Sequence, residues 1–114
     1  MLPERDLGAL QDMLAYARAL VAAVATRSRD DVEQDWLSRN GLERALEVIG
    51  EAAARVSPQT RGLYPQIAWR PVIDMRNRLI HGYDTSDRDV VWDTITEDLP
   101  VLIPQLEAIL GNVE

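Results

Sequence analysis

Leu7, Leu10, Leu14, Ala17, Leu20 or Val21, and Val24 recur at alternating spacings of three and four, the period of an α-helix that buries a single stripe. Nowhere does the chain alternate apolar and polar residues as a half-buried strand does. It must therefore build its core by packing helical stripes together, which predicts an all-α fold. The first helix is expected over residues 3–27, with Pro3 where a first-turn proline is tolerated.

Three further helices are legible. Ser28 to Asp31 offers capping chemistry for a second, which runs to about Val56 with Leu42, Leu46, Ile49, Ala53 and Val56 on one stripe. Gly41 and Gly50 interrupt it; an interior glycine costs roughly 1 kcal/mol against alanine, so each is expected to mark a close helix approach or a local bend. Residues 57–65 collect Ser, Pro, Gly and polar side chains and read as a loop with room for one short helical turn. A third helix is expected over Trp69–His81, with Pro71 in its first turn and Gly82 as a left-handed closing residue. Ser86 or Asp87 can cap a fourth, carrying Val91, Ile95, Leu99, Leu102, Leu106, Ile109 and Val113. Pro100 and Pro104 lie inside that stripe, so the helix must bend or restart there. The expected architecture is an up-and-down four-helix bundle with a longer connection between the second and third helices.

A chain of 114 residues is expected to form one domain over 1–114. It has no cysteine and only one histidine, so neither a disulfide framework nor an intrachain zinc site is expected, and no cofactor is assigned. The opening residues lack the basic start and apolar stretch of a signal peptide. The most apolar region, residues 14–25, is short for a span and carries Arg18. The expectation is a soluble, cytoplasmic protein without a membrane partner. A net charge of −7 argues against a generic nucleic-acid binder, which relies on clustered basic residues. The distribution tempers that argument: Arg61, Arg70, Arg76 and Arg78 stand against the single acid Asp74 between residues 61 and 81. All twelve basic residues are arginines, the side chain better suited to bidentate phosphate contact.

Chemistry concentrates in Met75-Arg76-Asn77-Arg78-Leu79-Ile80-His81-Gly82-Tyr83. On a helix Asn77 and His81 stand at i and i+4, nearly in line, with Arg76 to one side. A proton-transfer group, an amide and a permanent cation then share one surface. The competing structural readings are a capping histidine, a salt bridge from Arg76 to Glu47 or Glu51, a solvated Arg78, and a Tyr83 ring packed on the bundle. Trp36, Trp69 and Trp92 read as core or interface anchors rather than as stacking platforms for RNA.

The segment Arg76-Asn77-Arg78-Leu79-Ile80-His81-Gly82-Tyr83 resembles the signature of the HEPN superfamily, in the Arg-Asn-x-x-x-His-x-Tyr form of the HepT toxins. The resemblance extends to Ala45-Leu46-Glu47-Val48-Ile49-Gly50-Glu51-Ala52-Ala53, to Ile67-Ala68-Trp69-Arg70 and to Val91-Trp92-Asp93-Thr94-Ile95-Thr96-Glu97-Asp98-Leu99-Pro100. In order, it covers residues 3–112. HepT proteins are bacterial and archaeal ribonucleases paired with a minimal nucleotidyltransferase, MntA, as antitoxin. The resemblance thus implies a HEPN-like bundle dimerising around its third helix. The implied function is that of a toxin of a type VII toxin–antitoxin system, with RNA as substrate and an MntA-type nucleotidyltransferase as partner.

The implied reaction is metal-independent cleavage by attack of a ribose 2′-hydroxyl on the adjacent phosphate. Residue types fit it: a histidine with an ordinary pKa of about 6.5 can take or give a proton near neutrality, and an arginine can hold two phosphate oxygens. His81, Arg76 and Asn77 are the candidate catalytic residues, Arg70 and Arg78 candidate phosphate contacts, and Glu47 and Glu51 candidate orienting acids. One histidine does not readily serve as acid and base together, and a two-fold dimer supplies a second; assembly into a larger hetero-oligomer stays open. The resemblance also makes Tyr83 the acceptor of AMP from the partner, which disables the nuclease by adding charge and bulk. The alternative is a non-catalytic subunit that binds nucleotide or substrate for a minimal nucleotidyltransferase.

Overall fold

The computed structural model describes residues 2–81 and 86–113, with the side chains of residues 80, 81, 86, 87, 112 and 113 left aside. Among the described residues the regular structure is entirely helical: α1 (Glu4–Val24), α2 (Arg29–Gln34), α3 (Trp36–Arg55), α4 (Pro58–Leu63), α5 (Trp69–His81), α6 (Ser86–Asp93), a π-helical turn (Thr94–Asp98) and α7 (Leu99–Val113). The four limbs α1, α3, α5 and α6–π–α7 form the expected all-α bundle. In it α3 packs between α1 and α5, and α1 between α3 and α7.

The stripes meet as their periodicity requires. Leu10, Met13 and Ala17 of α1, Leu46, Ile49 and Ala53 of α3, and Leu99, Leu106 and Ile109 of α7 are buried in one core. Burying each larger aliphatic side chain contributes about 2 kcal/mol. At 21 residues α1 has the length and composition to cross a membrane, because it begins well before the stretch 14–25 that the sequence singles out. A core helix meets the same criterion, and the buried stripe of α1 lies against α3 and α7.

Three local features refine the sequence expectation. The second helix is divided at Asp35, whose extended backbone ends α2 and whose carboxylate accepts from Leu37 N and Ser38 N to start α3; a side chain that caps a new helix ends the old one. Ser28 caps α2 by accepting from Asp31 N at 3.1 Å. Residues 58–63 form a short helix, α4, capped by Ser57 and started by Pro58. Its capping serine donates to the buried Asp6 at 2.7 Å, and Thr60 donates to the same carboxylate. Gly41 marks no close approach, since nothing lies within 4 Å of where its side chain would be.

Pro100 neither breaks the last limb nor passes unnoticed. The π-helical turn widens the backbone immediately before it, with Leu99 N bonded to Thr94 O. The hydroxyls of Thr94 and Thr96 donate to Val90 O and Trp92 O at 2.7 and 2.8 Å. A wider turn relieves the clash that a proline ring makes with the carbonyl one turn back. Pro104 lies within α7 itself.

Candidate active site

The position of α5 is set by a glycine. A methyl group added at Gly50 of α3 would stand 2.6 Å from Arg76 Cβ and 3.0 Å from Val72 O, so the two helices approach closely only because residue 50 lacks a side chain. Arg76 therefore rests with its stem on the backbone of α3, one residue from Glu51. Its Nε lies 3.7 Å from Glu51 Oε1. That is within charge attraction but beyond hydrogen-bond reach, and Nε is a covered atom with no hydrogen-bond partner among the described residues. The Arg76 side chain is 40% exposed; because Nε is covered, the accessible part lies elsewhere along it.

Glu51 is shared. Arg44, two turns earlier on α3, donates from Nη1 to Glu47 at 3.1 Å and to Glu51 Oε1 at 3.2 Å. These bonds, to Glu47 first and Glu51 second, hold the Arg44 pKa above its ordinary value. Of the two orienting acids expected from the sequence, Glu51 faces Arg76 and Glu47 faces Arg44. Arg44 itself escaped the sequence reading, although the spacing of Arg44, Glu47 and Glu51 at i, i+3 and i+7 carries the signal of a charged helical face.

Asn77 follows Arg76 and is exposed, about 100° further around α5. His81, four residues on, is the last residue of the helix, one turn beyond Asn77. The structure thus places Arg76, Asn77 and the His81 backbone on one helix. The His81 side chain lies outside the described residues, as do Gly82 and Tyr83, expected from the sequence as the helix-closing residue and the AMP acceptor. Arg78 is exposed, and Arg70 is exposed with its Nε 3.9 Å from Asp74. On the flank of α5 away from Asn77, Val72 and Met75 line an apolar groove of about 250 Å³ with Leu46, Ile49, Leu99 and Leu102. That flank offers packing surface, whereas the Arg76–Asn77 flank offers charge and hydrogen bonds.

The tryptophans divide. Trp69 is buried at the start of α5, where its indole N–H donates to Tyr64 O at 3.0 Å. Trp92 is half-buried beside the core. Trp36 is 64% exposed and is no core anchor, because it stands at the first position of α3, outside the buried stripe.

Residues 13–109 match the family described as "Ribonuclease HepT-like". Among similar proteins, "Probable ribonuclease HepT" of Thermococcus cleftensis is 42% identical over 78 residues, covering 68% of this chain and 71% of that one. A "Putative RNase" of Methanocaldococcus jannaschii is 30% identical over 114 residues, covering 99% of this chain and 94% of its own length. Another "Putative RNase", from Caldanaerobacter subterraneus, is 30% identical over 101 residues, covering 89% and 90%. No solved structure matches the chain.

Proposed function

Because the chain belongs to the HepT-like ribonuclease family, a family of endoribonucleases, we propose that it is a metal-independent endoribonuclease toxin whose reacting groups are carried by α5. The observation that carries this reading is the fixed Arg76: its stem is seated against Gly50, its Nε is drawn to Glu51, and part of its side chain is open to solvent. An arginine held at one end and accessible at another suits a phosphate ligand, since guanidinium and phosphate pair in bidentate fashion.

In the proposed reaction the ribose 2′-oxygen bonds to phosphorus while the bond from phosphorus to the 5′-oxygen breaks. One histidine takes the 2′-hydroxyl proton and a second gives a proton to the leaving 5′-oxygen, so the products are a 2′,3′-cyclic phosphate and a 5′-hydroxyl. Arg76 stabilises the charge that grows on the phosphoryl oxygens. Asn77 positions the ribose or the imidazole. The second histidine comes from a second copy of the chain in a two-fold homodimer, each copy one domain over residues 1–114. Arg70 and Arg78 from both subunits make the shared pocket locally positive on an anionic body.

Control follows the same reading. The nuclease acts in the cytoplasm with a nucleotidyltransferase antitoxin of the MntA type as partner, in a type VII system, and transfer of AMP to Tyr83 silences it by repelling the RNA phosphate.

The test is cleavage of RNA by the purified chain in excess EDTA, with the new ends identified by mass. Cyclic phosphate ends are expected, with cutting blocked when the 2′-hydroxyl at the cleaved position is replaced by hydrogen. His81→Ala and Arg76→Ala are each expected to reduce cleavage at least about a hundredfold at unchanged helix content. Cleavage that requires added metal, or that survives His81→Ala, would refute the proposal.

A further inference from the structure

Two arginines share one carboxylate oxygen. Arg44 Nη1 donates to Glu51 Oε1 at 3.2 Å, and Arg76 Nε approaches the same Oε1 to 3.7 Å without bonding it. Arg44 is also anchored by Glu47 at 3.1 Å, which holds it in place along the α3 face. Glu51 is half-buried, so its charge is less diluted by water than that of a freely exposed carboxylate. Gly50, next to Glu51, seats Arg76 so closely that its stem has little room to withdraw from Glu51.

We propose that Arg44 is a positioning residue for Arg76: by bonding Glu51 Oε1 and offsetting its charge, it leaves Arg76 attracted to Glu51 but not clamped by it, and so keeps the Arg76 guanidinium available for the RNA phosphate. Without Arg44 the full charge of Glu51 falls on Arg76. A carboxylate and a guanidinium then close into a direct pair, which an incoming phosphate has to break. Glu51 thus aims Arg76, and Arg44 limits how tightly it is held. The inference rests on the nuclease reading for its consequence, but the arrangement itself can be observed without cleavage.

Three variants separate this role from its competitors. Arg44→Ala is expected to weaken binding of a fully 2′-O-methylated RNA oligonucleotide, and to raise KM for a cleavable one, by about fivefold, the effect of one partly exposed ion pair. The kcat should change less. Adding Glu51→Gln to Arg44→Ala is expected to recover most of the lost affinity, because the neutral amide no longer clamps Arg76, and Arg44→Lys should retain most of the wild-type behaviour. The Nε–H resonance of Arg76, read by nitrogen NMR on the intact protein, should move to a hydrogen-bonded position in Arg44→Ala and return in the double variant. Arg55→Gln, which removes a surface pair with Asp12, serves as the control and should match wild type throughout.

If Arg44→Ala weakens binding and Glu51→Gln restores nothing, Arg44 contacts RNA directly and the proposal is overturned. It is equally overturned if the Arg76 Nε–H resonance is the same in wild type and Arg44→Ala. A wild-type protein that cuts no RNA removes the nuclease reading alone, and the resonance still decides whether Arg44 keeps Arg76 unclamped.

Discussion

Asp6 is the buried acid of the molecule's described core, and its partners are distant in sequence. Its carboxylate accepts from the hydroxyls of Ser57 and Thr60 and from Ser57 N, so that the first turn of α1 is tied to the start of α4. In sequence Asp6 reads only as a first-turn acid of a helix; partners some fifty residues away leave no local trace. Hydrogen bonds to a buried charge are strong, and Asp6→Ala is expected to cost about 3 kcal/mol, seen as a lower melting temperature. Bonding to Ser57 first, then Thr60, lowers the Asp6 pKa below its ordinary value against the opposing effect of burial. The folded carboxyl thus holds its proton less tightly than the unfolded one, and its stabilisation is complete above the unfolded value of about 3.9 and lost as pH falls through the lower folded value. The stability advantage of wild type over Asp6→Asn should accordingly be full at neutral pH and shrink below about pH 4 in chemical denaturation series. An advantage that grows on acidification would contradict the network.

Elements show more plainly what periodicity can and cannot announce. The stripes of α1, α3 and α7 were legible because helices bury one face and the spacing records which. The break at Asp35 was hidden because the stripe of the second helix begins only at Leu42, and a capping aspartate looks like any other surface acid until the backbone turns. The two glycines of α3 look alike in sequence and differ in space. Gly50 is filled by Arg76 and Val72, whereas nothing lies near Gly41. Gly50→Ala should therefore destabilise the bundle by about 1 to 2 kcal/mol despite its better helix propensity, and should displace Arg76 and reduce cleavage. Gly41→Ala should raise stability by up to about 1 kcal/mol with cleavage unchanged. Thermal melts and initial rates on both variants check the contrast. The candidate site followed the same division: the placement of Arg76, Asn77 and the His81 backbone on one helix was legible as a spacing, while the sharing of Glu51 between Arg44 and Arg76 depends on how α3 meets α5.

At the scale of the whole molecule, an anionic chain of net charge −7 is asked to grip an anionic polymer. The proposed answer is local: arginines on α5 of two copies face one phosphodiester, while acids elsewhere keep the remaining surface unattractive to RNA. Binding should then weaken with added salt more gently than for a protein with an extended basic face, because few phosphates are neutralised. The same answer supplies the second imidazole that one chain lacks. The most direct test co-assembles wild type with an inactive His81→Ala chain in varied ratio and measures cleavage at constant total protein. If each pocket needs a histidine from both subunits, activity falls as the square of the wild-type fraction; a fall in simple proportion would mean that each chain cuts alone and would contradict the shared pocket.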